Sequence, residues 1–125
     1  MSAPQTILIV DDSPAVRHSL RMSLEQFPDW IVCGEAGDAR EAIEKSRQLN
    51  PDLIILDFSM PGMDGLAAAR ELTRIQPSAR LLMFTTFKDP ALEREAIAAG
   101  CADVISKSEL HLLFRSMEHL LKGLG

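Results

Sequence analysis

Five short apolar runs alternate with five segments of helical spacing along this chain, and few folds accommodate that rhythm. The runs are TILIVD at 6–11, WIVCGEA at 30–36, DLIILD at 52–57, RLLMFT at 80–85 and ADVIS at 102–106. Residues 53–56 are unbroken aliphatic, as in a strand buried on both faces of a parallel sheet, and such a sheet needs helices on both sides. The intervening segments supply them. Ser13-Pro14 reads as an N-cap and first-turn proline before a stripe of Val16, Leu20, Leu24 and Phe27. Asp38 with Glu41 resembles a capping box, and Asn50-Pro51 ends that helix. Asp64 or Gly65 opens a third helix, with Gly65 expected to supply backbone freedom, and Asp89-Pro90 opens a fourth that stops at Gly100. Ser108 is expected to cap the last, whose stripe is Leu110, Leu113, Phe114, Met117, Leu120 and Leu121. Helix-bearing connections between parallel strands make right-handed βαβ units, and five of them predict an open, doubly wound α/β sandwich.

With 125 residues the chain fits one compact domain, 1–125, and leaves no room for a second. A net charge of -5 without clustered Lys and Arg argues against direct nucleic-acid binding by this segment. No run approaches the ~18 apolar residues of a membrane span, and the N-terminus lacks a basic segment followed by an apolar signal core, so a cytoplasmic location and no membrane partner are expected. Cys33 and Cys101 have no metal-ligand spacing and are expected as buried free thiols. Trp30 is expected to pack rather than to mark a partner surface.

In a doubly wound sheet, ligands sit beyond the carboxyl ends of the strands where the winding reverses. Asp11, Asp12, Asp57, Thr85 and Lys107 all fall at or just past predicted strand ends. Three carboxylates brought together there repel one another, and partial burial makes the repulsion worse, so a positive charge must accompany them. The candidates are the Lys107 ammonium and a divalent cation; oxygen-only ligands favour a hard ion such as Mg²⁺, commonly shared with a phosphate oxygen. A carboxylate can attack a phosphoryl group to form an acyl phosphate, while a cation, an ammonium and a hydroxyl stabilise the transferring oxygens.

With these residues, the chain resembles the receiver domain of two-component response regulators. The likeness runs through ILIVDDSPAVR, PDLIILDFSMPGMDGL, LLMFTT and AIAAGCADVISKS, with the Asp pair about 45 residues before Asp57 and Lys107 about 50 after it. It implies a flavodoxin-like (βα)5 fold with a five-stranded parallel sheet. It implies Asp57 as phosphoacceptor and a Mg²⁺ ion held by Asp12 directly, Asp11 mainly through water, Asp57, and the backbone carbonyl of Ser59. Thr85 and Lys107 would each contact a phosphoryl oxygen. The donor would be a histidine of a sensor histidine kinase, so His18, His111 and His119 are not needed for the chemistry. Phosphorylation would favour a homodimer through the face made by the fourth helix, fifth strand and fifth helix. The flavour is that of receivers preceding a LuxR-type helix-turn-helix (NarL/FixJ-like), implying a signalling switch that controls transcription rather than an enzyme, its effector domain absent or cut away.

Two positions depart from the pattern. Val104 stands where many receivers carry a switch aromatic, and Thr86 stands where a small residue is usual. Phe87, with Ser59 opposite, is expected to shield an acyl phosphate from water. Three alternatives have less support: a dehalogenase-type phosphohydrolase lacks its D-x-D-x-T, a dinucleotide enzyme lacks its G-x-G-x-x-G, and a phosphorylation-independent pseudo-receiver would not need all of these site residues.

Overall fold

The computed structural model describes residues 3–122. Its elements alternate throughout: β1 (Gln5–Val10), α1 (Pro14–Leu24), β2 (Trp30–Ala36), α2 (Ala39–Leu49), β3 (Leu53–Leu56), α3 (Gly65–Ile75), β4 (Arg80–Thr85), α4 (Pro90–Ala98), β5 (Asp103–Ser106) and α5 (Leu110–Leu121). The strands form one parallel sheet in the order β2-β1-β3-β4-β5. This is the expected doubly wound flavodoxin-like arrangement. The winding reverses between β1 and β3, so a crevice opens past their carboxyl ends.

Period-two alternation divides the core between the two faces of the sheet. Ile7, Ile9, Leu53, Ile55, Leu82, Phe84 and Ile105 pack with Leu20 and Leu24 of α1 and with Leu113, Met117 and Leu121 of α5. Leu8, Val10, Ile54, Leu56, Leu81, Met83 and Val104 pack against α2, α3 and α4. All four residues of β3 are buried, as a central parallel strand requires. Trp30 is buried, with its ring centroid 4.6 Å from that of Phe27, and Phe27 lies 5.0 Å from Phe114, which confirms its packing role. Cys33 and Cys101 are free thiols, but only Cys101 is buried, and burial raises its pKa to about 12.

Edge strand β2 carries one irregularity that matters for the site. Its register with β1 slips between Ile7 and Leu8, leaving Cys33 as an extra residue. Trp30 and Val32 face the α1/α5 side, yet Ala36 joins the opposite cluster, so the bulge reverses the parity of the strand. Glu35 is thereby turned toward α1, where it meets Arg17 and Arg21.

Helix starts follow the sequence with one exception. Ser13, Asp38, Asp64 and Asp89 each accept from the backbone N–H three residues on. Glu41 reaches back to the N–H of Gly37. Ser108 does not cap α5: the N-cap position is Glu109 without a side-chain bond, and the Ser108 hydroxyl instead pairs with that of Ser106 at 2.8 Å. Gly65 also differs from expectation. It does not adopt positive φ; it is required because a Cβ there would sit 2.5 Å from the Asp57 carbonyl oxygen and 2.6 Å from the Phe58 Cα. Gly100, by contrast, has φ +111°, the left-handed geometry expected of a glycine that closes a helix.

Candidate functional site

β1 and β3 both stop one residue short of their acids, so Asp11 and Asp57 emerge side by side at the reversal point. The ladder continues for one more step: the Asp57 N–H donates to the Val10 carbonyl and the Asp11 N–H to that of Ala36, both at 3.0 Å. Asp12 follows on the exposed side. One carboxylate oxygen from each of Asp11, Asp12 and Asp57 lies within 4.8 Å of the other two. Asp11 and Asp57 are buried, at 4% and 5% exposure, so their charges are poorly hydrated.

Lys107, one residue past β5, supplies the nearest positive charge. Its backbone N–H donates to the Thr85 carbonyl, and its Nζ donates to Asp11 Oδ2 at 2.6 Å and to Asp57 Oδ2 at 3.2 Å. Burial opposes the ammonium charge, but the contacts with Asp11 and Asp57 win and raise the Lys107 pKa. At Asp57, burial and then the neighbouring Asp11 charge push the pKa above the ordinary aspartate range, outweighing Lys107 and the Ser59 N–H, which act the other way. A single ammonium therefore does not neutralise the cluster.

Thr85 ends β4 fully buried, and its Oγ1 accepts the N–H of Phe87 at 3.2 Å, while among the described residues its own hydroxyl hydrogen has no acceptor. Ser59 is exposed in the loop between β3 and α3, two residues past Asp57; among the described residues nothing donates to its carbonyl. The Phe87 ring is 57% exposed and stands edge-on to Phe58, 6.4 Å between centroids, so the aromatic it meets is Phe58. Val104 is a buried core residue on the α4 side. Trp30 lies at the amino end of β2, about 20 Å along the strands from Asp11 at ~3.3 Å per residue, too remote to report on the acids directly.

The sequence did not single out Arg17 or Glu35. Arg17 donates from one terminal nitrogen to the Asp11 carbonyl at 2.6 Å and from Nε to Glu35 Oε1 at 3.1 Å; Arg21 Nε donates to Glu35 Oε2 at 2.7 Å. These residues lie far apart in the chain, and only the bulge in β2 brings Glu35 to the right face.

The donor set that the structure brings together is three carboxylates, all oxygen, and keeps a net negative charge despite Lys107. It suits a hard divalent cation, which prefers oxygen ligands.

Comparison with known proteins points to one family. Residues 7–115 match the response regulator receiver domain. The chain is 42% identical over 101 residues to a protein-glutamate methylesterase/protein-glutamine glutaminase of Alkalilimnicola ehrlichii, covering 80% of this chain and 26% of that protein. It is 38% identical over 101 residues to the chemotaxis protein CheY of Thermotoga maritima, covering 81% and 83% respectively. Among solved structures, a LuxR-family two-component response regulator from Aurantimonas sp. SI85-9A1 superposes with a TM-score of 0.91 at 34% identity, covering 97% of this chain and 87% of that one. The chain spans only 26% to 30% of the length of the first three methylesterases it matches. No helix among the described residues is long and apolar enough to cross a membrane. The chain belongs to the response regulator receiver-domain family.

Proposed function

We propose that this receiver accepts a phosphoryl group on Asp57 from a histidine of a sensor kinase, with Mg²⁺ bound by Asp11, Asp12, Asp57 and the Ser59 carbonyl. The observation that carries this reading is the gathering of the Asp11, Asp12 and Asp57 carboxylates within 4.8 Å of one another, with Lys107 bonded to Asp11 and Asp57 and Thr85 at the next strand end. An Asp57 carboxylate oxygen attacks phosphorus as the bond to the donor's histidine nitrogen breaks, and that nitrogen keeps the bonding pair. Lys107 would turn from the Asp57 carboxylate to a transferring oxygen, and the Thr85 hydroxyl would donate to another. Mg²⁺, when bound, supplies the remaining charge neutralisation at the carboxylates and the transferring oxygens.

Donation by Thr85 draws its hydroxyl toward the phosphoryl group and strains its bond with the Phe87 N–H, so the loop before α4 is the element we expect to shift. With Val104 in the core, the exposed aromatic that follows Thr85 is Phe87. This supports a switch in which the α4-β5-α5 face changes its affinity for a second copy or an effector.

For the output, the likeness to a LuxR-family regulator favours transcription, in a cytoplasmic protein that is itself no enzyme. The methylesterase and CheY relatives favour a chemotactic output instead. Deleting the gene separates the two: changed transcript levels with normal swimming support the first, and lost chemotaxis the second. The phosphotransfer reading is tested by incubation with acetyl phosphate. Intact-protein mass spectrometry should show one added phosphoryl group that requires Mg²⁺ and is removed by hydroxylamine, as an acyl phosphate is. A product that forms equally in EDTA would refute it.

A further inference from the structure

The three acids are not restrained alike. Asp11 is held at every polar atom: its N–H by Ala36, its carbonyl by Arg17, Oδ1 by the Ser13 N–H at 2.9 Å and Oδ2 by Lys107. Asp12 is exposed, and its carboxylate takes no hydrogen bond from the described residues. The direction in which Asp12 points is therefore inherited from the backbone at 11–12. Among the described residues, the side chain that grips this backbone is Arg17, through the Asp11 carbonyl.

Arg17 is itself fixed. Glu35 takes its Nε while Arg21 occupies the other Glu35 oxygen, and Lys45 donates to the Glu35 backbone carbonyl. The guanidinium lies against Gly37, where a Cβ would come 3.4 Å from its terminal nitrogen. One planar group thus ties the end of β1 to α1 and β2 by two bonds in different directions, which a lysine ammonium on a flexible stem does not reproduce.

We infer that Arg17, oriented by Glu35, is a positioning residue that sets the Asp11-Asp12 turn for the divalent cation. This inference rests on the Mg²⁺ reading above. Simple electrostatics would give Arg17 the opposite effect, since a positive group near three carboxylates repels a cation and its removal would tighten binding. Charge and geometry therefore predict different signs.

The test is a Mg²⁺ titration of the 15N-labelled protein, following the amide signal of Ser13, with the metal-free melting temperature measured in parallel. Arg17→Lys keeps the charge and loses the two-way grip; it should weaken Mg²⁺ binding about tenfold, the low end of the effect of outer-shell partners. Arg17→Ala should weaken it at least as much, even though a positive charge is gone. A Mg²⁺ affinity of Arg17→Lys within about twofold of wild type overturns the inference, even if the melting temperature falls, because that pattern marks a purely structural residue. Tighter binding by Arg17→Ala also overturns it, in favour of charge. If the wild type itself shows no saturable Mg²⁺ response, the metal reading falls, and the inference with it.

Discussion

Replacing Asp57 by Asn should stabilise the metal-free protein, even though it removes the residue on which the chemistry depends. Carboxylate oxygens of Asp57 and Asp11 lie within 4.8 Å, and at an effective dielectric of about 20 that repulsion costs about 3.5 kcal/mol. The attraction from Lys107 at 3.2 Å returns about 5 kcal/mol on the same scale, but burial of the charge, the largest influence on Asp57, costs several kcal/mol more, which leaves the carboxylate a net liability of about 2 kcal/mol. Asn keeps the shape and an acceptor oxygen for Lys107 while shedding the charge. For a chain of this length the gain corresponds to a rise in melting temperature of roughly 6 °C or more. The assay is thermal unfolding by circular dichroism in EDTA and again in excess Mg²⁺, where the cation stabilises wild type more and the gap should shrink. The sign with pH follows from the raised Asp57 pKa: the native state holds that proton more tightly than the unfolded chain. Metal-free wild type is thus best placed below the ordinary value of 3.8 and loses this contribution as pH rises through the folded pKa, so the advantage of the variant should open over that window. An Asp57→Asn protein that melts at or below wild type in EDTA would show that the Lys107 attraction outweighs the repulsion, and the electrostatic account of the site would fail.

Three further outcomes follow from the same geometry. Lys107→Met leaves Asp11 and Asp57 without their bridging cation and should cost about 3 kcal/mol in metal-free urea unfolding, most of it recovered by Mg²⁺. Gly65→Ala forces a Cβ against the Asp57 carbonyl oxygen and the Phe58 backbone; it should cost about 2 kcal/mol and slow phosphorylation by acetyl phosphate, because the chain carrying Asp57 must move. Phe87→Ala, at an exposed position, should change stability by no more than about 0.5 kcal/mol yet shorten the half-life of the phosphorylated protein; an unchanged half-life would remove Phe87 from any shielding role.

The architecture was legible because each strand carries its own signal. The aliphatic block 53–56 has the composition of a doubly covered strand, and the four caps that bind as expected each stand at the start of a helix. The acids were legible because they fall at strand ends, where this winding gathers them. What escaped the sequence was a local competition in one case and tertiary contact in the others. Ser108 has the chemistry of a cap, but Ser106 is within reach of its hydroxyl. Gly65 suggests a need for unusual φ, whereas its real constraint is the approach of Asp57, which no local pattern records. Glu35 could not be assigned to a face by counting from Trp30, since the extra residue at Cys33 reverses the alternation; its pairing with Arg17 was hidden for that reason.

The central claim, that Asp57 and not its acidic neighbours accepts the phosphoryl group, is tested most directly by locating the modification. After reaction with acetyl phosphate and Mg²⁺, borohydride reduces an aspartyl phosphate to homoserine, and tryptic peptides are then sequenced by mass spectrometry. The account predicts homoserine at Asp57, in the peptide from Gln48 to Arg70, and none at Asp11 or Asp12. Homoserine at either of those two, with Asp57 unmodified, would contradict it.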